Sequence, residues 1–212
     1  MKFLFSYSIV ILFLAIVSCK KENSPTFEEI NNHYTTTDLS GFGNRPGKPT
    51  GAAFQLPINV VITSQIKGRV PDYISYNYYG IGTISTFFTL TNFNFKAVKV
   101  IFPAGIIFLP DNDSSQTVLS ITPTEITMLP ESSEKVLLKL FCINKSKNAG
   151  NVNFYTMNVV SNNNQVETLI NHLRQKGDSV LLRHNASLQG IVWNISDGSG
   201  LTQADIDMIN SW

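Results

Sequence analysis

Two cysteines occur in the 212-residue chain, and they stand in different surroundings. Cys19 ends an apolar leader, whereas Cys142 lies in Phe141-Cys142-Ile143-Asn144, at the end of the strand-like run KVLLKLF (135–141). A thiolate is a strong nucleophile, and outside the cytoplasm an exposed unpaired thiol is readily oxidised. Cys142 therefore has two readings. It is an inert core residue between Phe141 and Ile143, because free cysteine is among the most buried residue types, or it is a reactive group kept from water. The remaining chemistry-bearing residues form no constellation. His33, His172 and His184 have no zinc-site spacing. Asp111-Asn112-Asp113 resembles the start of a calcium loop but lacks its glycine and distal glutamate. Gly198-Ser199-Gly200 follows a helical window instead of opening one, and no lysine stands beside it. Glu125, Glu131, Asp197 and Asp205 are dispersed among turns and helix ends, where carboxylates commonly serve as caps. These residues predict no metal, no cofactor and no enzymatic turnover.

The elements that would position Cys142 follow a leader and a polar stretch. Lys2 precedes Phe3 to Val17, a run that is apolar apart from Ser6 and Ser8, and small Ser18 comes before Cys19. The run is short for a membrane span and polar residues follow at once, so residues 1–18 are predicted to be a signal peptide. Ile16-Val17-Ser18-Cys19 resembles the bacterial lipobox, and the KKENSPT that follows is similar to lipoproteins of the Bacteroidetes. That resemblance implies acyl chains of the palmitate type on Cys19, a mature chain beginning there, and a lipid-anchored place in the cell envelope, at the outer membrane of a Gram-negative cell. Lys and Arg number 16 against 15 Asp and Glu, and removing residues 1–18 takes away Lys2 alone. A chain so balanced, with no basic patch, gives no electrostatic case for nucleic acid.

Residues 19–55 lack sustained periodicity and collect Gly, Pro, Thr and Asn, which predicts a flexible tether. From residue 56 to 160, strand-length runs rich in Val, Ile, Phe and Thr alternate with turn signals: INVVITSQI (58–66), ISTFFTLTNF (84–93), KAVKVIF (96–102), QTVLSIT (116–122), TEITML (124–129) and KVLLKLF. This pattern predicts a mainly β body, an antiparallel β-sandwich of the Ig-like kind. Residues 161–212 predict a small helical element packed on it. Val166, Leu169, Ile170 and Leu173 recur at helical spacing with Gly177 as a C-cap, Leu188, Ile191, Val192 and Ile195 repeat it, and Thr202 with Asp205 makes a capping box.

Set on those elements, Phe141-Cys142-Ile143-Asn144 and Leu188-Gln189-Gly190-Ile191-Val192-Trp193 resemble the paired motifs of bacterial thioester-domain adhesins. Leu188 stands where that family usually has threonine, and the two motifs are closer together than is usual there. The longer stretch from KVIFPAG through FCIN is also similar to β modules of bacterial envelope proteins. The adhesin resemblance implies that the Cys142 sulfur attacks the Gln189 carboxamide, expels ammonia and leaves an internal thioester that a surface amine can open. Phe141, Asn144 and Trp193 would then arrange or cover the bond. Its expected role is attachment or binding at the cell surface. A second expectation rests on Tyr73, Tyr76, Tyr78 and Tyr79 in PDYISYNYYG: tyrosines gathered on a loop can stack on a glycan or anchor a protein partner. A third is a purely structural envelope lipoprotein with Cys142 buried as a free thiol.

Overall fold

The computed structural model describes residues 39–68, 76–149 and 154–212. The leader, Cys19, the first part of the tether, His33 and Tyr73 lie outside those residues. In chain order the strands are β1 (Gly51–Ala53), β2 (Val60–Ile62), β3 (Ile66–Lys67), β4 (Asn77–Gly80), β5 (Ile84–Asn92), β6 (Val98–Phe102), β7 (Ile106–Pro110), β8 (Val118–Leu119), β9 (Thr124–Met128), β10 (Ser132–Cys142) and β11 (Phe154–Ser161). Four helices follow: α1 (Asn164–Leu173), α2 (Asp178–Arg183), α3 (Asn185–Asp197) and α4 (Gln203–Asn210).

The mainly β body and the C-terminal helices match the expectation from sequence. The architecture is different from an Ig-like pair of facing sheets. The pairing order β5–β3–β11–β7–β8–β10 returns to β5, so six antiparallel strands close into a barrel. β1 adds beside β11, β2 beside β5, and β4 runs parallel to β10. β6 and β9 pair separately. Closure comes from long strands that take further partners. β10 pairs with β5 as far as Leu140 on one side, and with β8 through Phe141 and Cys142 on the other. The two-residue β3 likewise bridges β5 and β11. The run 58–66, expected to be one strand, divides into β2 and β3.

Period-2 alternation sorts the strand residues into two cores. Val136, Leu138 and Leu140 of β10 join Phe88, Leu90, Ile106, Phe108 and Val118 inside the ring, and β6 and β9 close over them with Val100, Phe102, Ile126 and Met128. Phe141 and Ile143 point the other way and join Ile107 and Leu119 beneath the helices. Cys142 shares the parity of Leu140, so its side chain starts on the barrel side of the strand.

The helices cover the second core with Val166, Leu169, Leu173, Leu181, Leu188, Ile191, Val192, Ile195, Ile206 and Ile209. Asn163 caps α1 by accepting from the Gln165 and Val166 amides. Thr202 and Asp205 form the expected capping box on α4. Gly177 is not the C-cap of α1, whose last turn ends at Arg174; it is the residue that opens α2, a helix with no periodic signal in the sequence. Residues 39–53, expected to belong to the tether, pack on the body. Leu39 and Phe42 are buried in the helix-side core and β1 pairs with β11. The Gly43 amide donates to the Ile143 carbonyl at 2.7 Å. A side chain on Gly43 would meet the Ser196 carbonyl oxygen at 2.3 Å, and its φ of 59° is itself one that glycine adopts freely.

Candidate functional site

The site forms where β10 outruns β5. The β5 register ends at Leu140↔Ile84, so no residue of β5 stands opposite Cys142. One side chain takes the place of the missing strand. Gln189 Oε1 accepts from the Cys142 N–H at 3.0 Å, and its Nε2 donates to the Cys142 carbonyl at 2.9 Å. Both peptide groups of a buried strand end are thereby satisfied, as buried backbone polar groups must be. Cys142 is 3% and Gln189 4% exposed.

α3 brings Gln189 there as part of a polar ridge. Asn185 Nδ2 donates to the Gly82 carbonyl at 3.0 Å, Gln189 clasps Cys142, and the Asp197 carboxylate accepts from the Lys145 amide at 3.1 Å. These residues, with Trp193, stand four apart along one face. The opposite face buries Leu188, Ile191, Val192 and Ile195. Each such side chain contributes roughly 1.5–3 kcal/mol on burial, against about 1 kcal/mol net for an ordinary hydrogen bond. Packing therefore sets the helix down, and Gln189 is held where the packing puts it.

Two residues outside both sequence motifs, Thr83 and Gly82, complete the site. The Thr83 hydroxyl donates to Gln189 Oε1 and lies beside the Cys142 thiol. Thr83 is exposed, so it stands between the buried pair and solvent. Gly82 makes that placement possible: a Cβ there would lie 2.1 Å from the Leu140 carbonyl oxygen, so only glycine lets the chain cross β10 this closely. Asn185, one helical turn before Gln189, fixes the Gly82 carbonyl. The spacing of Asn185 from Gln189 is the one signal in the sequence that points to it. For Thr83 the hint is the pair Gly80 and Gly82 just before a strand.

Burial pushes the Cys142 thiol up to about 12 from 9.0, with the Thr83 hydroxyl acting weakly in the opposite direction. The sulfur is thus a neutral thiol at physiological pH. The neighbours named from sequence have separate tasks. Phe141 is fully buried in the helix-side core. Asn144 turns away from the carboxamide: Oδ1 accepts from the Thr117 amide at 2.8 Å, and Nδ2 donates to the Gly43 carbonyl, pinning the 39–47 loop. Trp193 is half-buried one turn past Gln189, with the Lys145 ammonium 5.5 Å from its ring centroid, and its buried Nε1 has no hydrogen-bond partner among the described residues.

The tyrosines do not present a common face among the described residues. Tyr76 packs edge-on against Phe87, with centroids 5.2 Å apart, and Tyr79 donates to Glu134 at 2.6 Å. Tyr78 is 54% exposed. A separate cleft of about 440 Å³ lies between the 41–49 loop and the β7 end, lined by Arg45, Lys48, Asp111, Asp113 and Lys147. Among the described residues, no group of three His, Cys, Asp or Glu side chains is placed to hold a metal ion.

No family model, curated protein or solved structure matches this chain.

Proposed function

We propose that this is a lipid-anchored protein of the cell envelope, held at the outer membrane of a Gram-negative cell through Cys19, that attaches to surfaces through an internal thioester between Cys142 and Gln189. On this reading it acts once per bond and is not an enzyme. The observation that carries it is the double clasp of the Gln189 carboxamide on the backbone of Cys142, in a buried place, with the thiol on the same residue. Such fixed proximity is what an otherwise slow acyl transfer requires, and exclusion of water is what lets the product persist. The Cys142 sulfur bonds to the Gln189 carbonyl carbon, the carbon–nitrogen bond breaks, and the thiol proton leaves with the nitrogen as ammonia. An incoming primary amine then takes the acyl group and returns the proton to sulfur, leaving an amide.

Intact-mass measurement on the full chain in detergent tests this. The chain is expected to be lighter by one ammonia, to gain the mass of methylamine on exposure to it, and to lose both properties in Cys142→Ala. Full mass in freshly folded wild-type chain would sink the reading. A non-covalent reading is favoured by a different observation, the cleft of mixed charge beside Arg45 and Asp111, which suits a polar ligand such as a glycan. The same measurement separates the two, because that ligand leaves the mass unchanged.

A further inference from the structure

We infer that Thr83 and the backbone amide of Cys142 form an oxyanion hole for Gln189, so that Thr83 is a catalytic residue of the acyl transfer in both directions. The inference rests on the thioester reading and adds to it a residue contributed from outside both sequence motifs.

The carboxamide oxygen receives two donors. One is the Cys142 N–H at 3.0 Å, and the other is the Thr83 hydroxyl. They converge on the atom where negative charge develops when sulfur adds to the carbonyl carbon. The departing nitrogen is held separately, by the Cys142 carbonyl at 2.9 Å. Donors fixed in advance at a buried oxygen stabilise the tetrahedral state without reorganisation. The need is acute here, because burial keeps the sulfur protonated and a thiol adds poorly to an amide.

Thr83 also touches the nucleophile. Its hydroxyl favours the ionised form of the sulfur that must add to the carbonyl carbon, while it donates to the carboxamide oxygen. In the forward step the carbon–sulfur bond forms, the carbon–nitrogen bond breaks, and the thiol proton ends on the departing ammonia. In the reverse sense an amine adds to the same carbon, charge gathers on the same oxygen, and sulfur leaves with the amine's proton. One hydroxyl thus serves formation and opening alike.

Rigidity of the hydroxyl is built in. Gly82 is pressed on the Leu140 backbone and its carbonyl is tied to Asn185, so the peptide before Thr83 is fixed on both sides. The residue itself is exposed, which means the hydroxyl can be removed without opening a cavity in either core.

The experiment compares wild type, Thr83→Val and Thr83→Ser as full chains in detergent, refolded under reducing conditions. Ammonia loss is followed by intact mass and opening by methylamine consumption. Thr83→Val is expected to slow both by on the order of 100-fold, as loss of one oxyanion donor does, and Thr83→Ser is expected to restore most of each rate. If wild type loses ammonia and Thr83→Val forms and opens the bond at the wild-type rates, the oxyanion hole is refuted while the thioester stands. It is refuted equally if Thr83→Val forms the bond normally and only hydrolyses faster, since Thr83 would then be a cover, or if serine fails to rescue. If wild type never loses ammonia, the thioester reading falls and this inference with it. Unfolding curves for the three chains show whether a slow Thr83→Val is folded, and Thr83→Ser decides the matter if it is not.

Discussion

Two buried carboxamides serve the opposite ends of the β5–β10 pair, and they differ in their neighbours. Asn92 is fully buried at the end where Asn92 faces Ser132. Its Nδ2 donates to the Lys96 and Leu129 carbonyls at 3.0 and 2.9 Å, and its Oδ1 accepts from the backbone and side-chain nitrogens of Asn94 at 3.0 and 2.8 Å. Gln189 does the same work at the other end, about 30 Å away at the rise of a strand, by closing off the backbone of Cys142. Both amides are structural in that sense. Asn92 makes four hydrogen bonds to backbone carbonyls and to Asn94, whereas Gln189 has a thiol on the residue it clasps and a hydroxyl from the solvent side. A satisfied buried amide is therefore ordinary architecture in this fold, and on the proposed thioester reading a single sulfur adds reactivity to it at one end.

The sharpest way to break this comparison is to turn each amide into a carboxylate. Asn92→Asp removes the donors given to the Lys96 and Leu129 carbonyls and places a charge against them at a fully buried position, so it is expected to cost roughly 2–4 kcal/mol in unfolding by denaturant. Gln189→Glu loses one donor, the one given to the Cys142 carbonyl, so its cost is expected to be about half as large and to be accompanied by loss of the ammonia deficit. Equal costs at the two ends would mean that the Gln189 end is as closed as the Asn92 end, and that solvent has no path past Thr83.

How far this arrangement was legible in the sequence depends on how local each part is. The end of β10 and the apolar face of α3 are periodic over a dozen residues each, so Cys142 and Gln189 could be placed on a strand end and a helix before any coordinates. Thr83 could not, because it reaches the site only through the β5–β10 register. Ring closure was hidden for a related reason: β3 and β8 are two residues long and carry no period of their own. Residues 39–53 looked like tether because Leu39 and Phe42 are two apolar residues in polar text. For the tyrosine cluster, closeness in sequence said nothing about Tyr76 turning to Phe87 and Tyr79 to Glu134.

A smaller effect sharpens the comparison through pH. Asn92 bonds only to backbone carbonyls and to Asn94, whereas the Cys142 thiol beside Gln189 is held up near 12 in the folded chain against 9.0 for the unperturbed group. Between those values the unfolded chain gives up the proton and the folded chain keeps it. Stability is therefore complete below pH 9 and falls as pH rises toward 12, by about 1.4 kcal/mol for each pH unit crossed. Gln189→Met, which cannot make the bond and keeps the thiol covered, is expected to show this loss relative to Gln189→Met with Cys142→Ala. Tyr79, also raised by burial, contributes the same slope to both chains and cancels, whereas Tyr155 is raised by burial and then by the Cys142 charge, so its slope adds to the loss in the chain that keeps the sulfur. Parallel curves would mean the sulfur is in contact with water.

The smallest effect concerns what covers the Gln189 end. The Trp193 indole nitrogen is buried and has no hydrogen-bond partner among the described residues, so its N–H carries a desolvation cost. Trp193→Phe removes that donor together with part of the ring. It also weakens the stacking of the Lys145 ammonium, a contact worth about 0.5–1 kcal/mol at an exposed site. The gain and the losses are similar in size, and the expected change in unfolding free energy is below about 1 kcal/mol. A loss of about 3 kcal/mol or more, the usual cost of emptying a core position, would make Trp193 part of the helix-side core. The reactive end would then be sealed as firmly as the Asn92 end, leaving Thr83 as the sole approach for an amine.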